Sequence, residues 1–244
     1  MRAAVRRTGL KRARRLLART LLLVVLAAVL LFGWTVVRKR TTLDLGEEPG
    51  MLTGRALASL AREPGRCRAL LDRAGVRYAQ AAVRSDGPSC GYSAGLRLAA
   101  GGARAVPLSP DEPVLTCPVV AALAMWEWSV VQPAARRLLG QPVARIEQLG
   151  SYNCRPIAGT TRWSEHATAN AIDVAAFRLA DGRTISVLAD WRGNGPEATF
   201  LRRVRTGACD VFATVLSPDY NAAHRDHFHL DQAARGAASW RACR

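Results

Sequence analysis

Eighteen consecutive uncharged residues, Thr20 to Val37, lie between arginine-rich flanks and divide the chain before any fold is considered. Eighteen residues of helix rise about 27 Å, close to the roughly 30 Å hydrocarbon core of a bilayer. Arg2, Arg6, Arg7, Lys11, Arg12, Arg14, Arg15 and Arg19 precede the run, and only Arg38, Lys39 and Arg40 follow it. This asymmetry puts the N-terminus in the cytoplasm and everything after the span on the far side, with Trp34 near the far interface. A cleaved signal peptide is the competing reading. No small-x-small site precedes Arg38 and the basic region is long, so an uncleaved anchor is favoured. The organisation expected is a cytoplasmic basic arm (1–19), a transmembrane anchor (20–37), a linker (38–51) without apolar periodicity, and a folded domain (52–244).

The formal net charge of +16 suggests nucleic acid until it is located. Residues 1–40 hold eleven Lys/Arg and no Asp/Glu, leaving 24 basic against 19 acidic residues in the remainder. The excess is a positive-inside flank, so no nucleic-acid partner is expected. With 49% hydrophobic and 22% charged residues, the composition is that of a globular chain.

All six cysteines, Cys67, Cys90, Cys117, Cys154, Cys209 and Cys243, follow the span. An even count on the exported side implies disulfides, and the lack of any Cys-x-x-Cys pair argues against a cysteine zinc knuckle or a thioredoxin-like redox site. The nearest-neighbour scheme, 67 with 90, 117 with 154 and 209 with 243, is the simplest of the fifteen pairings.

Apolar periodicity predicts helices over Leu52–Ala61 and Cys67–Ala74, a short strand at Val76–Tyr78, and small strands and loops across the Gly-rich 91–106. The strongest helix is expected at Pro113–Leu139, with Pro133 starting, ending or kinking a turn and with Trp126 and Trp128 as packing residues. Val143–Cys154, Ala171–Phe177 and Thr184–Leu188 read as strands, the last two joined by the hairpin signal Asp181-Gly182. Glu197–Leu216 reads as a second amphipathic helix and Asp226–Asp231 as a strand. The fold class expected is α+β: a mixed or antiparallel sheet with the helices around 119–139 and 197–216 packed behind it.

Within this frame the chain's four histidines fall in two clusters: His166, in Ser164-Glu-His-Ala-Thr-Ala-Asn-Ala-Ile-Asp173, and His224, His227 and His229. Imidazole is the commonest protein metal ligand and the natural base at neutral pH, so such clustering points to a metal site. On a strand, His227 and His229 share one face while Phe228 and Leu230 point into the opposite layer. That spacing suits one ligand and one neighbour beside it, and two ligands less comfortably. His166 and Asp173 are too far apart on either a helix or a strand to share an ion, so the small residues between them must fold back. Two imidazoles and a carboxylate leave a fourth position for water, the pattern of a catalytic rather than a structural zinc site.

His166-x6-Asp173 followed by His227-x-His229 resembles the zinc site of the LAS peptidases, the group of lysostaphin, D-Ala-D-Ala carboxypeptidases and hedgehog amino-terminal domains. Over roughly residues 60–244 the chain more closely resembles the bacterial extensin-like C-terminal family, through Gly150-Ser-Tyr-Asn-Cys-Arg155, Ser164-Glu-His-Ala167, Asn170-Ala-Ile-Asp-Val174 and His224-x2-His227-x-His229. The resemblance implies a hedgehog/DD-peptidase-like sheet with packed helices. It implies zinc on His166, Asp173 and His229, His227 as base or transition-state stabiliser, and His224 as an additional active-site histidine like that of murein endopeptidases. Arg155 then becomes a candidate for a substrate carboxylate or a developing oxyanion. Many carboxypeptidases have Gly where this chain has Ala169.

The function expected is a zinc metallopeptidase of murein endopeptidase or DD-carboxypeptidase type. It would be anchored in the bacterial inner membrane by one span, face the periplasm and act on peptidoglycan peptide amides. The alternatives are a catalytically silent domain of the same fold that uses zinc for stability or wall binding, and a disulfide-stapled structural protein without metal.

Overall fold

Leucine, valine and alanine fill the stretch after Arg19, and in the computed structural model Leu17–Thr35 is one helix, α1, of 19 residues. Residues 17–35, 43–50, 52–102, 106–110, 113–235 and 241–244 are described. The basic arm before Leu17, the end of the expected span at Val36 and Val37, and the flank Arg38–Arg40 lie outside them. The apolar window of α1 has mean hydropathy 2.3, so the helix is long and apolar enough to cross a membrane, as a signal sequence also is. Its threonine hydroxyls donate within the helix, Thr20 to the carbonyl of Leu17 and Thr35 to that of Phe32, so neither needs water.

Asp44–Arg244 forms a second compact unit, in which Leu45 is already buried. Helices α2 (Thr53–Ser59, continued as a 3-10 turn to Arg62) and α3 (Pro64–Arg73) open it. Pro64 sits in the first turn of α3, where its missing N–H costs nothing. Strand β1 (Val76–Gln80), the small hairpin β2 (Arg84–Ser85) and β3 (Gly91–Tyr92), and β4 (Gly95–Gly102) follow. Next come β5 (Leu108–Ser109) and β6 (Val114–Thr116). The order β1-β4-β6 makes a three-stranded antiparallel sheet.

The long helix expected at Pro113–Leu139 is corrected in two ways. Val114–Thr116 pairs with β4 as a strand, and the helix begins as α4 (Cys117–Trp126), with Pro118 in its first turn. It then widens into a π-turn at Glu127–Val131 before α5 (Gln132–Leu139). The π-turn has its cause in Pro133, which cannot donate to a carbonyl one turn back; the preceding amide, that of Gln132, reaches the carbonyl of Glu127 instead. Gly140, at φ +73, ends α5 in the left-handed cap that glycine takes without strain. Trp126 is buried, and its indole N–H donates to the carbonyl of Val204. Trp128, also expected to pack, is 44% exposed: two residues after Trp126 it points to the opposite side of the helix.

Strands β7 (Val143–Gly150), β8 (Ala171–Leu179) and β9 (Thr184–Ser186) follow, β8 and β9 forming an antiparallel hairpin through Asp181-Gly182. The expected strand end at Leu188 is instead α6 (Val187–Asp190), capped by the Ser186 hydroxyl. Helix α7 (Pro196–Ala208) is shorter than the expected 197–216. Its apolar spacing runs on past Ala208, but Thr214–Leu216 leaves the helix and pairs in the sheet as β10. With β11 (Phe228–Asp231) and β12 (Ala242–Cys243), a mixed sheet runs in the order β12-β10-β11-β8-β7-β5. All its pairs are antiparallel except β10 with β12 and β5 with β7.

The helices pack against this sheet around Phe177, whose ring meets Trp126 (5.8 Å between centroids) and Phe200 (5.1 Å) edge-on. Gly207 lets α7 approach the π-turn, since a Cβ there would lie 2.4 Å from Val130 Cγ1. Between Val174 and Ala176 the β8 register gains one residue on β7, breaking strict alternation. Phe177, which would share a face with Asp173 by simple alternation, thereby reaches the helix layer.

Three disulfides pin the unit: Cys67–Cys117, Cys90–Cys154 and Cys209–Cys243. Two of the nearest-neighbour pairings are therefore wrong. Helix α3 packs on α4, which places Cys67 against Cys117, and the β2–β3 hairpin lies against the chain leaving β7, which places Cys90 against Cys154. Sequence proximity does not choose partners here; element adjacency does.

Candidate metal centre

Asp173 lies on the central strand β8 and His229 directly opposite on β11, the two being register partners of the antiparallel pair. Phe228 and Leu230, alternate to His229, are fully buried in the opposite layer. His166 comes from the other direction, on a 3-10 turn (Glu165–Thr168) capped by the Ser164 side chain, which accepts from the His166 N–H. The turn reverses into β8 through Ala169, the one non-glycine with positive φ (+55) among the described residues. Strand β6 holds this reversal: the Thr116 N–H donates to the carbonyl of Ala169, and its hydroxyl to Asn170 Oδ1. The seven-residue separation is thus closed by a turn, a left-handed residue and a strand start.

Three donor atoms converge. His229 Nδ1 is 3.0 Å from Asp173 Oδ1 and 3.0 Å from His166 Nε2, and His166 Nε2 is 3.3 Å from Asp173 Oδ1. Donors bound tetrahedrally at zinc distances of about 2.0–2.1 Å are about 3.3 Å from one another, so the triangle has the size of one face of such a site.

The outer ring atoms fix the tautomers. Ser151's carbonyl, 2.5 Å from His166 Nδ1, can only accept, so Nδ1 carries the proton and Nε2 presents its lone pair. Asp231 Oδ2 accepts from His229 Nε2 at 3.0 Å, which turns Nδ1 inward. A carbonyl and a carboxylate behind two inward-facing imidazoles are the outer partners by which proteins orient metal-binding histidines. The donor set fits zinc, and His166, Asp173 and His229 would hold it.

Without a metal, these groups share protons instead. Burial acts to raise Asp173's pKa, but its contacts with His166 and His229 outweigh that and hold the carboxyl well below the usual range. His229 is pushed up to about 9: burial opposes its charge, and Asp173 and Asp231 overcome that opposition. The inner position therefore favours a cation.

His227 stands beside the triangle, its Nε2 3.6 Å from Asp173 Oδ1 and its Nδ1–H donated to Asp226 Oδ1 at 2.9 Å. His224 lies further out, with its ring centroid 5.2 Å from that of His227 and Nδ1 2.7 Å from Asn221 Oδ1. Burial and the neighbouring charges of His227 and His229 lower its pKa to about 4, so it is a neutral imidazole at physiological pH. Arg155 is exposed and makes no side-chain hydrogen bond to the triad among the described residues. Its charge nevertheless reaches His224 and contributes to that lowering.

All four histidines and Asp173 are brought together; Arg155 reaches them only through its charge on His224. The sequence reading missed the groups behind them. Asp231 was within its reach, because His227, His229 and Asp231 recur at every second position and alternate residues of a strand share a face. Asp226 and Asn221 gave a weaker signal, and Ser151's carbonyl gave none. Glu165 was also passed over; it is partly buried, accepts from the Asn170 side-chain amide at 2.5 Å, and burial raises its pKa.

A family model described as "Extensin-like protein C-terminus" matches residues 65–244, which contain every residue of this site. No curated protein and no solved structure matches the chain.

Proposed function

The chain belongs to the extensin-like C-terminal family, and on that premise we propose that it is a membrane-anchored, zinc-dependent hydrolase of peptide amides in peptidoglycan. The observation that carries the reading is the inward convergence of His166 Nε2, His229 Nδ1 and Asp173 Oδ1, each imidazole locked from behind by an acceptor. The motif resemblance to the LAS peptidases supports the same chemistry. Helix α1 supports anchorage, and three disulfides support an oxidising compartment such as the periplasm.

A bound zinc ion supplies Lewis-acid polarisation of the scissile carbonyl and acidifies water. His166, Asp173 and His229 would hold that ion, and Ser151 and Asp231 keep the imidazoles in the tautomer this needs. His227 does the proton transfer: with Nδ1–H committed to Asp226, its Nε2 takes a proton from the attacking water and returns it to the leaving amine as the C–N bond breaks. His224, neutral and held by Asn221, offers a hydrogen bond at the outer edge, and Arg155 supplies positive charge for a carboxylate or an oxyanion.

The test uses the full chain in detergent, loaded with zinc and incubated with muropeptides. New amino and carboxyl termini are expected by mass spectrometry, lost on chelation and in His229→Ala. Cleavage that survives both removes the metal mechanism. Stoichiometric zinc with no cleavage across a broad muropeptide panel instead supports the catalytically silent reading.

A further inference from the structure

The β2–β3 hairpin is fixed to the same short segment that holds His166. Ser151 and Asn153 both bond to His166, the first through its carbonyl to the ring and the second through its N–H to the His166 carbonyl at 3.0 Å. Tyr152, between them, donates its hydroxyl to Asp86 Oδ2 at 2.6 Å and meets the Tyr92 ring edge-on at 5.4 Å. Cys154, next but one, is bonded to Cys90 of the hairpin, and β3 packs on the 3-10 turn that carries His166.

Arg84 stands on this platform. Its Nε donates to Asp86 Oδ2 at 2.6 Å, the same oxygen that accepts from Tyr152, and its Cζ lies 4.5 Å from the centroid of the Tyr152 ring. One edge and one face of the guanidinium are thus committed. The terminal nitrogens make no hydrogen bond among the described residues, on a side chain that is 52% exposed. An exposed arginine ordinarily samples many rotamers, whereas this one is held at two points with its carboxylate-matching edge free. Asp86 balances the charge of Arg84 without occupying its terminal nitrogens.

We propose that Arg84 forms a carboxylate-binding subsite on the hairpin tied to the His166 segment, taking an anionic group of the peptide substrate on its two terminal nitrogens, with Tyr152 and Asp86 as positioning residues. The ligand class is a carboxylate-bearing peptide. The proposal deepens the hydrolase reading and rests on it for the identity of that peptide. Preorganisation is the physical advantage: little side-chain freedom remains to be lost when the carboxylate binds.

Binding, not cleavage, is the test. Zinc-loaded full chain in detergent is titrated calorimetrically with the stem pentapeptide of peptidoglycan and with versions amidated at one carboxylate at a time. The native chain is expected to bind the free form about tenfold or more tighter than one of the amidated versions. Arg84→Ala is expected to abolish that preference while leaving affinity for the amidated peptide unchanged. Arg84→Lys, which keeps charge but loses the fork, is expected to recover only part of it. A merely structural brace would lower affinity for all the peptides alike. No preference in the native chain, or a preference that persists in Arg84→Ala, overturns the proposal. Should Arg84→Ala not fold, Arg84→Lys decides the matter by the same ratio. Peptides that bind with this preference and are not cut leave the subsite standing and remove the hydrolase reading; cleavage with an unchanged ratio in Arg84→Ala does the reverse.

Discussion

His229 and Asp173 are register partners across β11 and β8, so a separation of 56 positions in sequence collapses to 3.0 Å between Nδ1 and Oδ1. A slip of one residue in this pairing would turn His229 into the layer now filled by Phe228 and Leu230, so core packing and metal geometry specify the same register. Asp231, two residues on, holds the far nitrogen of the same ring. Asp231→Asn keeps the shape but weakens the acceptor, and zinc affinity is expected to fall about 10- to 100-fold. Competition with a fluorescent chelator checks this; an unchanged affinity would separate Asp231 from the metal site.

Zinc bound at this triad would compete with protons for His229. In the metal-free chain its pKa is raised to about 9, above the ordinary value of 6.5, by Asp173 and Asp231 against the cost of burial. The raised value means that protonation stabilises the metal-free fold fully below about pH 6.5, and that this contribution is lost as pH rises through about 9. Zinc must displace the Nδ1 proton, so between pH 7 and 9 its apparent affinity is expected to rise about tenfold per pH unit, with one proton released per ion. Calorimetry in buffers of different ionisation enthalpy counts that proton. A flat affinity across the window contradicts the competition.

What the sequence made legible follows the reach of each signal. The apolar stripe of α4 and the alternation around Phe228 and Leu230 are local patterns, and local patterns carry helix and strand identity. Val114–Thr116 and Thr214–Leu216 were absorbed into helices because a short apolar run beside a helical stripe fits either period. Only pairing with β4 and with β11 decides them. Clustering and spacing pointed to His166, Asp173 and one of His227 and His229 as converging donors, and the choice of His229 came from the family resemblance. Ser151's carbonyl could not, since any residue type supplies one. Disulfide partners depend on the packing of α3 against α4, which no spacing between cysteines encodes.

The disulfides separate stability from site geometry. Cys67 and Cys117 close a loop of 50 residues, and replacing both with alanine is expected to cost about 4 kcal/mol by the chain-entropy relation. Zinc affinity should change little, because neither cysteine touches His166, Asp173 or His229, and Thr116, the neighbour of Cys117, keeps its own bonds to Ala169 and Asn170. Cys90 and Cys154 span 64 residues and should cost about as much, but Cys154 ends the segment whose Ser151 and Asn153 hold His166. Their double alanine variant is therefore expected to lose zinc affinity as well. Denaturant titration with parallel zinc titration tests the contrast, and equal zinc affinity in the two variants would detach the second bridge from the site.

Ala169 closes the His166 turn in a conformation that glycine takes more readily. Its φ of +55 lies in the left-handed region, its methyl is fully buried, and both its backbone groups are bonded, the N–H to the His166 carbonyl and the carbonyl to the Thr116 N–H. Left-handed backbone costs an L-residue about 1–2 kcal/mol, while glycine adds about 0.5–1 kcal/mol of chain entropy to be lost and gives up a buried methyl worth about 0.8 kcal/mol. These terms nearly cancel, so Ala169→Gly is expected to change stability by no more than about 1 kcal/mol. Ala169→Val adds branching at Cβ, where neither the dihedral nor the packing has room, and a loss of about 2 kcal/mol or more is expected, with weaker zinc binding as His166 shifts. Thermal unfolding with and without zinc reads both effects; a valine variant as stable as the native chain would show that the turn tolerates a branched side chain.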